Sequence, residues 1–546
     1  MCGFAGFFDV CGGLSDEKYL WLTLIRRMAG RLSHRGPDGR GALVTEHCAL
    51  AHVRQAANAA QPMTARQDGF TYSIAFDGML YNAAELREAL RARGESFETE
   101  SDAEVVLKGY MAFGEDCAKK LNGAFAFVIE DKRRGQVFLC RDRFGAKPLF
   151  YTRSGDRLVF ASEIKALFEY PGVQPKIGRT GLCELFGLSP MHTPGCGVYE
   201  NIFEVLPGHC ITYGRDGFAE HPYFKLEARP YTESYADTVQ QVRALLEDAV
   251  NRCPKDGSCA VLEDTLGGEI LAALAKKQQV EIYAVENGGG KTDFLTDTVI
   301  ARDLPGMTDT ALYALCRAAK PKCAAAMSSV GADVLFGECP WLLQDAPQDI
   351  FPWMTHLQAR TKLLKPELLE ALEPESYVRE RYEEMLEGVP VLRGESAENR
   401  KCREKTYLGI YGYMAAELEQ ADRCGMACGL QIHVPYADHR LVSLLFNTPK
   451  AVKNGLLRDI YRDLLPDAEP RAKMPLQKPD NVRDNWLKTQ LSAVLRDKEQ
   501  PIHKLISEKA VRTLMAELFS EDGAQLSIYV LQMNLWLNRY KVKLVL

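Results

Sequence analysis

A change of texture near residue 225 constrains the fold of this chain more than any other feature. Before it, short apolar runs alternate with turn signals, as in TYSIAFDGMLYN, GAFAFVIEDKRRGQVFLCRD and DRLVFASEI. Runs of that length bounded by Gly, Asn and Asp read as β-strands and hairpins. Helical periodicity is expected near 16–32, 83–93 and 101–114, and NIFEVLPGHCITYGRDGFAEHPYF reads as closing strands around a Pro207-Gly208 turn. The segment KLEARPYTESYADT is polar and carries a proline, so the boundary is placed there, giving units 1–225 and 226–546. An amphipathic helix near 234–251 follows. Helices of ten or more residues then alternate with short buried strands such as CAVLE, EIYAVE and KCAAAMSS. That alternation predicts an α/β domain with a parallel sheet and a mostly helical C-terminal part.

At 546 residues the chain is too long for one core. Its formal charge of -6 is mixed along the sequence, which gives nucleic acid or a membrane surface no basic face to bind. The N-terminus has no basic leader followed by an apolar stretch, and no run reaches the roughly 18 apolar residues of a spanning helix, so a cytoplasmic protein is expected. Sixteen cysteines are scattered with no CxxC pair, and read as reduced core thiols. The pairs His47 and His52, then His433 and His439, lack the neighbouring Cys or carboxylates of a zinc site and read as packed or surface histidines.

The most informative single residue is Cys2. A methionine ahead of so small a residue is ordinarily removed, which leaves a thiol beside a free α-amine. That amine has a reference pKa of about 7.7 to 8.0 and can serve as base for the thiol near neutral pH. Around it, HRGPDG at 34–39, AHVR at 51–54, DGMLYN at 77–82, SDAEVV at 101–106, LNGAFAF at 121–127, RDRFGAKPLFY at 141–151 and ASEIKAL at 161–167 fall in a fixed order. In that order they resemble the glutaminase domain of the N-terminal-nucleophile amidotransferases, most of all glutamine-dependent asparagine synthetase. The resemblance implies a four-layer αββα sandwich of two antiparallel sheets between helices.

It also implies roles. Cys2 would attack the glutamine carboxamide, Arg54 would pair with the substrate α-carboxylate, Asp102 would receive the α-ammonium, and the Gly78 N–H would donate to the oxyanion. One position departs from the pattern. The family carries Asn-Gly-Glu where this chain has Asp77, Gly78 and Met79, and the asparagine amide is the second oxyanion donor. An ionised carboxylate cannot donate, and losing one such donor costs on the order of 100- to 1,000-fold in turnover. Either hydrolysis is slow or Asp77 is held protonated.

The second half carries GADVLFGECPWL at 331–342, QADRCGMACGLQIHVPYADHRL at 420–441, LLRDIYRDLLP at 456–466 and RAK at 471–473, which resemble the synthetase half of the same family in order and spacing. Such proteins activate aspartate with Mg-ATP, and ammonia then attacks the adenylate. Activation depends on a Ser-Gly-Gly-x-Asp-Ser loop whose backbone N–H groups wrap pyrophosphate. Here Glu263, Asp264, Thr265, Leu266, Gly267, Gly268 and Glu269 stand between the strand CAVL and the helix ILAALAKK. Like charges a few ångströms apart cost roughly 1 to 4 kcal/mol, so two carboxylates make a poor phosphate site. Sliding the register onto Gly267 and Gly268 puts Leu266 where the hydroxyl belongs and Ile270 where the acid belongs. The family's Gly-Glu-Gly-x-Asp-Glu segment appears as Ser329, Val330, Gly331, Ala332, Asp333 and Val334, leaving Asp333 as either a lone magnesium ligand or a turn residue. Asp422, Arg423, Arg458, Arg471 and Lys473 match family positions, as anion holders or as surface charge. NGGGKT at 287–292 lacks the leading glycine of a phosphate loop, since Val285 stands there.

Two functions fit this sequence. In one the chain is an amidotransferase that hydrolyses glutamine through Cys2, with Mg-ATP and aspartate as further substrates only where the second domain is active. In the other it is a pseudoenzyme: a glutamine sensor, a scaffold or a partner of an intact synthetase. A homodimer is implied by resemblance alone.

Overall fold

The structure is a computed structural model that describes residues 2–55, 59–253, 258–263, 265–285, 294–306, 309–343, 349–354, 356–465, 481–518 and 520–545. The chain divides into two compact units. The first comprises Met1–Gln174, Pro194–Gly197 and Asn201–Leu226, and the second Pro175–Thr193, Val198–Glu200 and Glu227–Leu546.

The first unit holds two six-stranded antiparallel sheets. In one, Cys2–Asp9 lies between Arg157–Ala161 and Cys48–Arg54. In the other, Phe70–Leu80 lies between Met63–Gln67 and Gly123–Asp131. Side chains alternate along a strand, so each sheet has two chemically distinct faces. Phe4, Phe8, Cys48, Leu50, Ala75, Ala126, Val128 and Phe160 form one buried cluster drawn from both sheets, and this is the layer between them. Ile74, Phe76, Phe125 and Phe127 point the other way, into a cluster shared with the helices Ala83–Arg91 and Asp102–Phe113. The helix Lys18–Gly30 buries Leu24, Ile25, Met28 and Ala29 on the side of the first sheet. Helix, sheet, sheet and helix make the four layers expected. Each fully buried phenylalanine contributes roughly 1.5 to 3 kcal/mol to holding them together.

In the second unit four parallel strands run in the order Glu281–Ala284, Ser258–Val261, Ala325–Met327, Gln431–His433, with helices between them in sequence. The order reverses between Ser258–Val261 and Ala325–Met327. In an open α/β sheet the crevice beyond the carboxyl ends of such a strand pair is where ligands bind. The helix after the first strand spans Leu266–Lys277, so Gly267 and Gly268 lie in its first turn and the connection is shorter than the sequence reading allowed. The physical reason is a cap: Thr265 is extended and its Oγ1 accepts from Gly268 N at 3.1 Å.

Early segments belong to this unit through specific ties. Lys176–Ile177 pairs in parallel with Lys543–Leu544, the Arg360 guanidinium donates to the carbonyls of Phe186 and Ser189, and Trp536 Nε1 donates to Tyr199 Oη at 2.6 Å. Among the described residues, no helix is long and apolar enough to cross a membrane. None of the sixteen cysteines forms a disulfide.

Candidate functional site

Alternation sets the direction of the first candidate site. On the strand Cys2–Asp9, Phe4 and Phe8 face the layer between the sheets, so Cys2 does too. On Cys48–Arg54 the same parity that sends Cys48 and Leu50 inward sends His52 and Arg54 inward. On Phe70–Leu80, Ala75 faces inward, and Asp77 shares its face. Arg54 is the direct antiparallel partner of Cys2 in the sheet. His52 Nε2 lies 3.1 Å from the carbonyl of Phe76 and so joins the two sheets. Burial pushes the His52 imidazole down to about 4, against the pull of that bond, so the ring is neutral and donates.

Arg35 binds the site together, and the sequence reading did not single it out. It is fully buried. Its Nε donates to the Cys2 carbonyl at 3.0 Å, its Nη1 to Glu163 Oε1 at 2.9 Å and its Nη2 to Asp77 Oδ2 at 2.8 Å. Glu163 is also paired with Lys165 Nζ at 2.6 Å and His34 Nε2 at 3.0 Å. The HRGPDG and ASEIKAL motifs thus meet as one ion cluster beneath Cys2. Gly36 lets the first of them lie close, since a Cβ there would stand 2.3 Å from Arg54 N. Burial pushes the Cys2 thiol up to about 12; the positive amino terminus pulls it down, Asp77 pushes it up, and Lys147 and Arg35 pull it down. At neutral pH the sulfur is therefore a thiol, which needs a base before it can attack.

Asp77 carries the unusual feature. Both its oxygens are buried; Oδ2 is held by Arg35, and Oδ1 has no hydrogen-bond partner among the described residues. The next residue, Gly78, has φ +141°, and a Cβ there would lie 2.2 Å from the carbonyl oxygen of Ala124, so only glycine fits. Asp102 begins its helix and its Oδ2 accepts from Leu80 N at 2.8 Å, placing it beside the same strand. Burial raises the Asp102 carboxyl, and the bond from Leu80 N and the charge of Arg87 draw it back.

The second candidate site is the crevice of the parallel sheet. Glu263 follows the strand Ser258–Val261, and its carboxylate accepts from Ser328 Oγ at 2.5 Å and from Ser329 N at 2.8 Å. Thr265 Oγ1 lies 3.0 Å from Ser329 Oγ, and Tyr436 Oη donates to the Gly267 carbonyl at 3.1 Å. The two loops at the reversal are stitched to each other. Asp333 lies in the first turn of a short helix, Ala332–Phe336, whose N-cap Gly331 has φ +93°, and its carbonyl accepts from Glu338 N at 2.8 Å. Burial, and then Asp333, push the Glu338 carboxyl up to about 6, with Arg458 opposing them. Glu338 is a second acid beside Asp333, inside the 331–342 motif but not singled out there. Arg423 is fully buried and paired with Asp303 at 2.7 Å, a tie between helices. Asp264, Arg471, Lys473 and the segment 287–292 lie outside the described residues. Among the described residues no group of three or more His, Cys, Asp or Glu is arranged to hold a metal ion.

Two family models match the chain. Residues 1–224 match the family model of a glutamine amidotransferase domain, which gives the first unit its class. Residues 270–538 match that of asparagine synthase. Glutamine-hydrolysing asparagine synthetase 3 of Bacillus subtilis (strain 168) is 33% identical over 617 residues, covering 99% of this chain and 99% of its own. Glutamine-hydrolysing asparagine synthetase 1 of the same organism is 27% identical over 583 residues, covering 91% and 89%. The chain belongs to the family of glutamine-hydrolysing asparagine synthetases.

Proposed function

We propose that this protein hydrolyses glutamine to glutamate and ammonia through Cys2. The observation that carries the reading is the set of residues held around the thiol: Arg54 across the strand pair, Asp77 facing inward on the other sheet with Gly78 next to it in the chain, and Arg35 bonded to both Cys2 and Asp77. With Met1 removed, the α-amine of Cys2 takes the thiol proton and the sulfur attacks the carboxamide carbon. The tetrahedral oxyanion rests on the Gly78 N–H, and collapse expels ammonia with that proton. Water then hydrolyses the thioester to glutamate. Arg54 and Asp102 hold the substrate α-carboxylate and α-ammonium.

The second unit is not assigned ATP-dependent amidation of aspartate. Its loop residues do not fit magnesium and pyrophosphate: Glu263 takes up the Ser329 N–H and the Ser328 hydroxyl, and a carboxylate offers a phosphate only repulsion. Asp77 and Glu263 together favour a second reading, in which the chain binds glutamine as a sensor or as the partner of an intact synthetase.

Purified full-length protein incubated with glutamine tests the choice. Glutamate release that disappears in Cys2→Ala supports the first reading. Binding without turnover supports the second, and retention of Met1 by intact mass would remove the base on which hydrolysis depends. Pyrophosphate release that requires aspartate and Mg-ATP would overturn the assignment of the second unit.

A further inference from the structure

We propose that Asp77 is the residue by which the Cys2 pocket distinguishes a carboxamide from a carboxylate, an inference that rests on reading this pocket as a glutamine site. The side chain is fully buried, and its inward parity puts it on the face of the sheet opposite Cys2. One oxygen is spent on Arg35 and the other, Oδ1, has no partner among the described residues. A buried acceptor left unmade is costly, so a ligand that brings an N–H to it gains affinity. Arg35 cannot turn to serve a ligand instead, because Nε, Nη1 and Nη2 are engaged by Cys2, Glu163 and Asp77.

A carboxamide meets this pocket with both of its halves. Its carbonyl oxygen takes the Gly78 N–H and its NH2 donates to Asp77 Oδ1. The γ-carboxylate of glutamate has acceptors only, and it brings a second negative charge to a fully buried one. Asparagine at this position would present a donor to either ligand. Aspartate therefore reverses the polarity of the contact, holding the leaving amide nitrogen and repelling the acid product after the thioester is hydrolysed.

The test uses the full chain carrying Cys2→Ala, so that no turnover is needed, with binding of glutamine, glutamate and glutamate γ-methyl ester measured by calorimetry. Glutamine is expected to bind about 10- to 100-fold more tightly than glutamate, with the uncharged ester, which lacks the N–H, between them. Adding Asp77→Asn is expected to bring glutamine and glutamate within a few-fold, chiefly by gain of glutamate. Adding Asp102→Asn is expected to weaken both and leave their ratio alone. The ester comparison needs no second substitution and decides the matter even where Asp77→Asn fails to fold. Equal binding of glutamine and glutamate, or a ratio untouched by Asp77→Asn, overturns the proposal while wild-type turnover leaves the hydrolysis reading standing. Selective binding without turnover does the reverse, and binding of neither amino acid overturns both.

Discussion

Two acids, Asp77 in the first unit and Glu263 in the second, differ in their surroundings. Asp77 has a cation on one oxygen and, among the described residues, no hydrogen-bond partner on the other. Glu263 has a hydroxyl on one and a backbone N–H on the other, both supplied by the loop across the crevice. One acid therefore keeps an oxygen without a partner among the described residues, and the other is satisfied by the loop across the crevice. A departure from a motif says little until the partners of the new side chain are known, because a buried carboxylate is decided by what satisfies it.

The largest effect is expected from Cys2→Ala, which should lower glutamate release by a factor on the order of 10,000 or more in a coupled glutamate assay. Unchanged release would place the nucleophile elsewhere. Asp77→Asn restores a donor beside Gly78 and should raise the hydrolysis rate by on the order of 100-fold in the same assay. An unaltered rate would mean that the side chain at this position does not serve the oxyanion.

Stability against pH separates the units by sign. His52 has a folded pKa of about 4, below the usual imidazole value, so its contribution is complete above pH 6.5 and is lost as the pH falls through 4. The loss amounts to roughly 3 kcal/mol, and His52→Gln should remove it from denaturant midpoints measured across that range.

Glu263→Ala leaves Ser328 Oγ and Ser329 N without their acceptor and should cost about 1.5 to 3 kcal/mol in denaturant unfolding. A neutral outcome would show that the crevice is not held by this acid. The smallest effect belongs to Glu338. Its folded pKa of about 6 lies above the usual carboxyl value, so its contribution is complete below pH 4.5 and is lost as the pH rises through 6. Discounted for its partial exposure, it is worth on the order of 1 kcal/mol, and Glu338→Gln should flatten the slope.

What was legible in the sequence was local. Strand runs, the helices near 83–93 and 101–114 and the ordered motifs depend on neighbours within a few residues. For that reason the four layers, the parallel sheet and the family could be anticipated. The ion cluster could not, because Arg35 reaches Asp77 across 42 positions and Glu163 across 128. Nor could the joining of residues 175–193 to the second unit, which rests on a strand pair with Lys543–Leu544 and on buried donors from Arg360 and Tyr529. Glu338 escaped notice for the same reason, since only burial beside Asp333 makes it unusual.

The residues alone, then, fixed the strand runs that carry Cys2, Arg54 and Asp77, along each of which side-chain direction alternates. That Asp77 keeps one oxygen without a partner among the described residues, while both oxygens of Glu263 accept, is settled by tertiary structure. Hydrogen-bond satisfaction is a property of groups brought together from distant parts of the chain, and no window of sequence contains it.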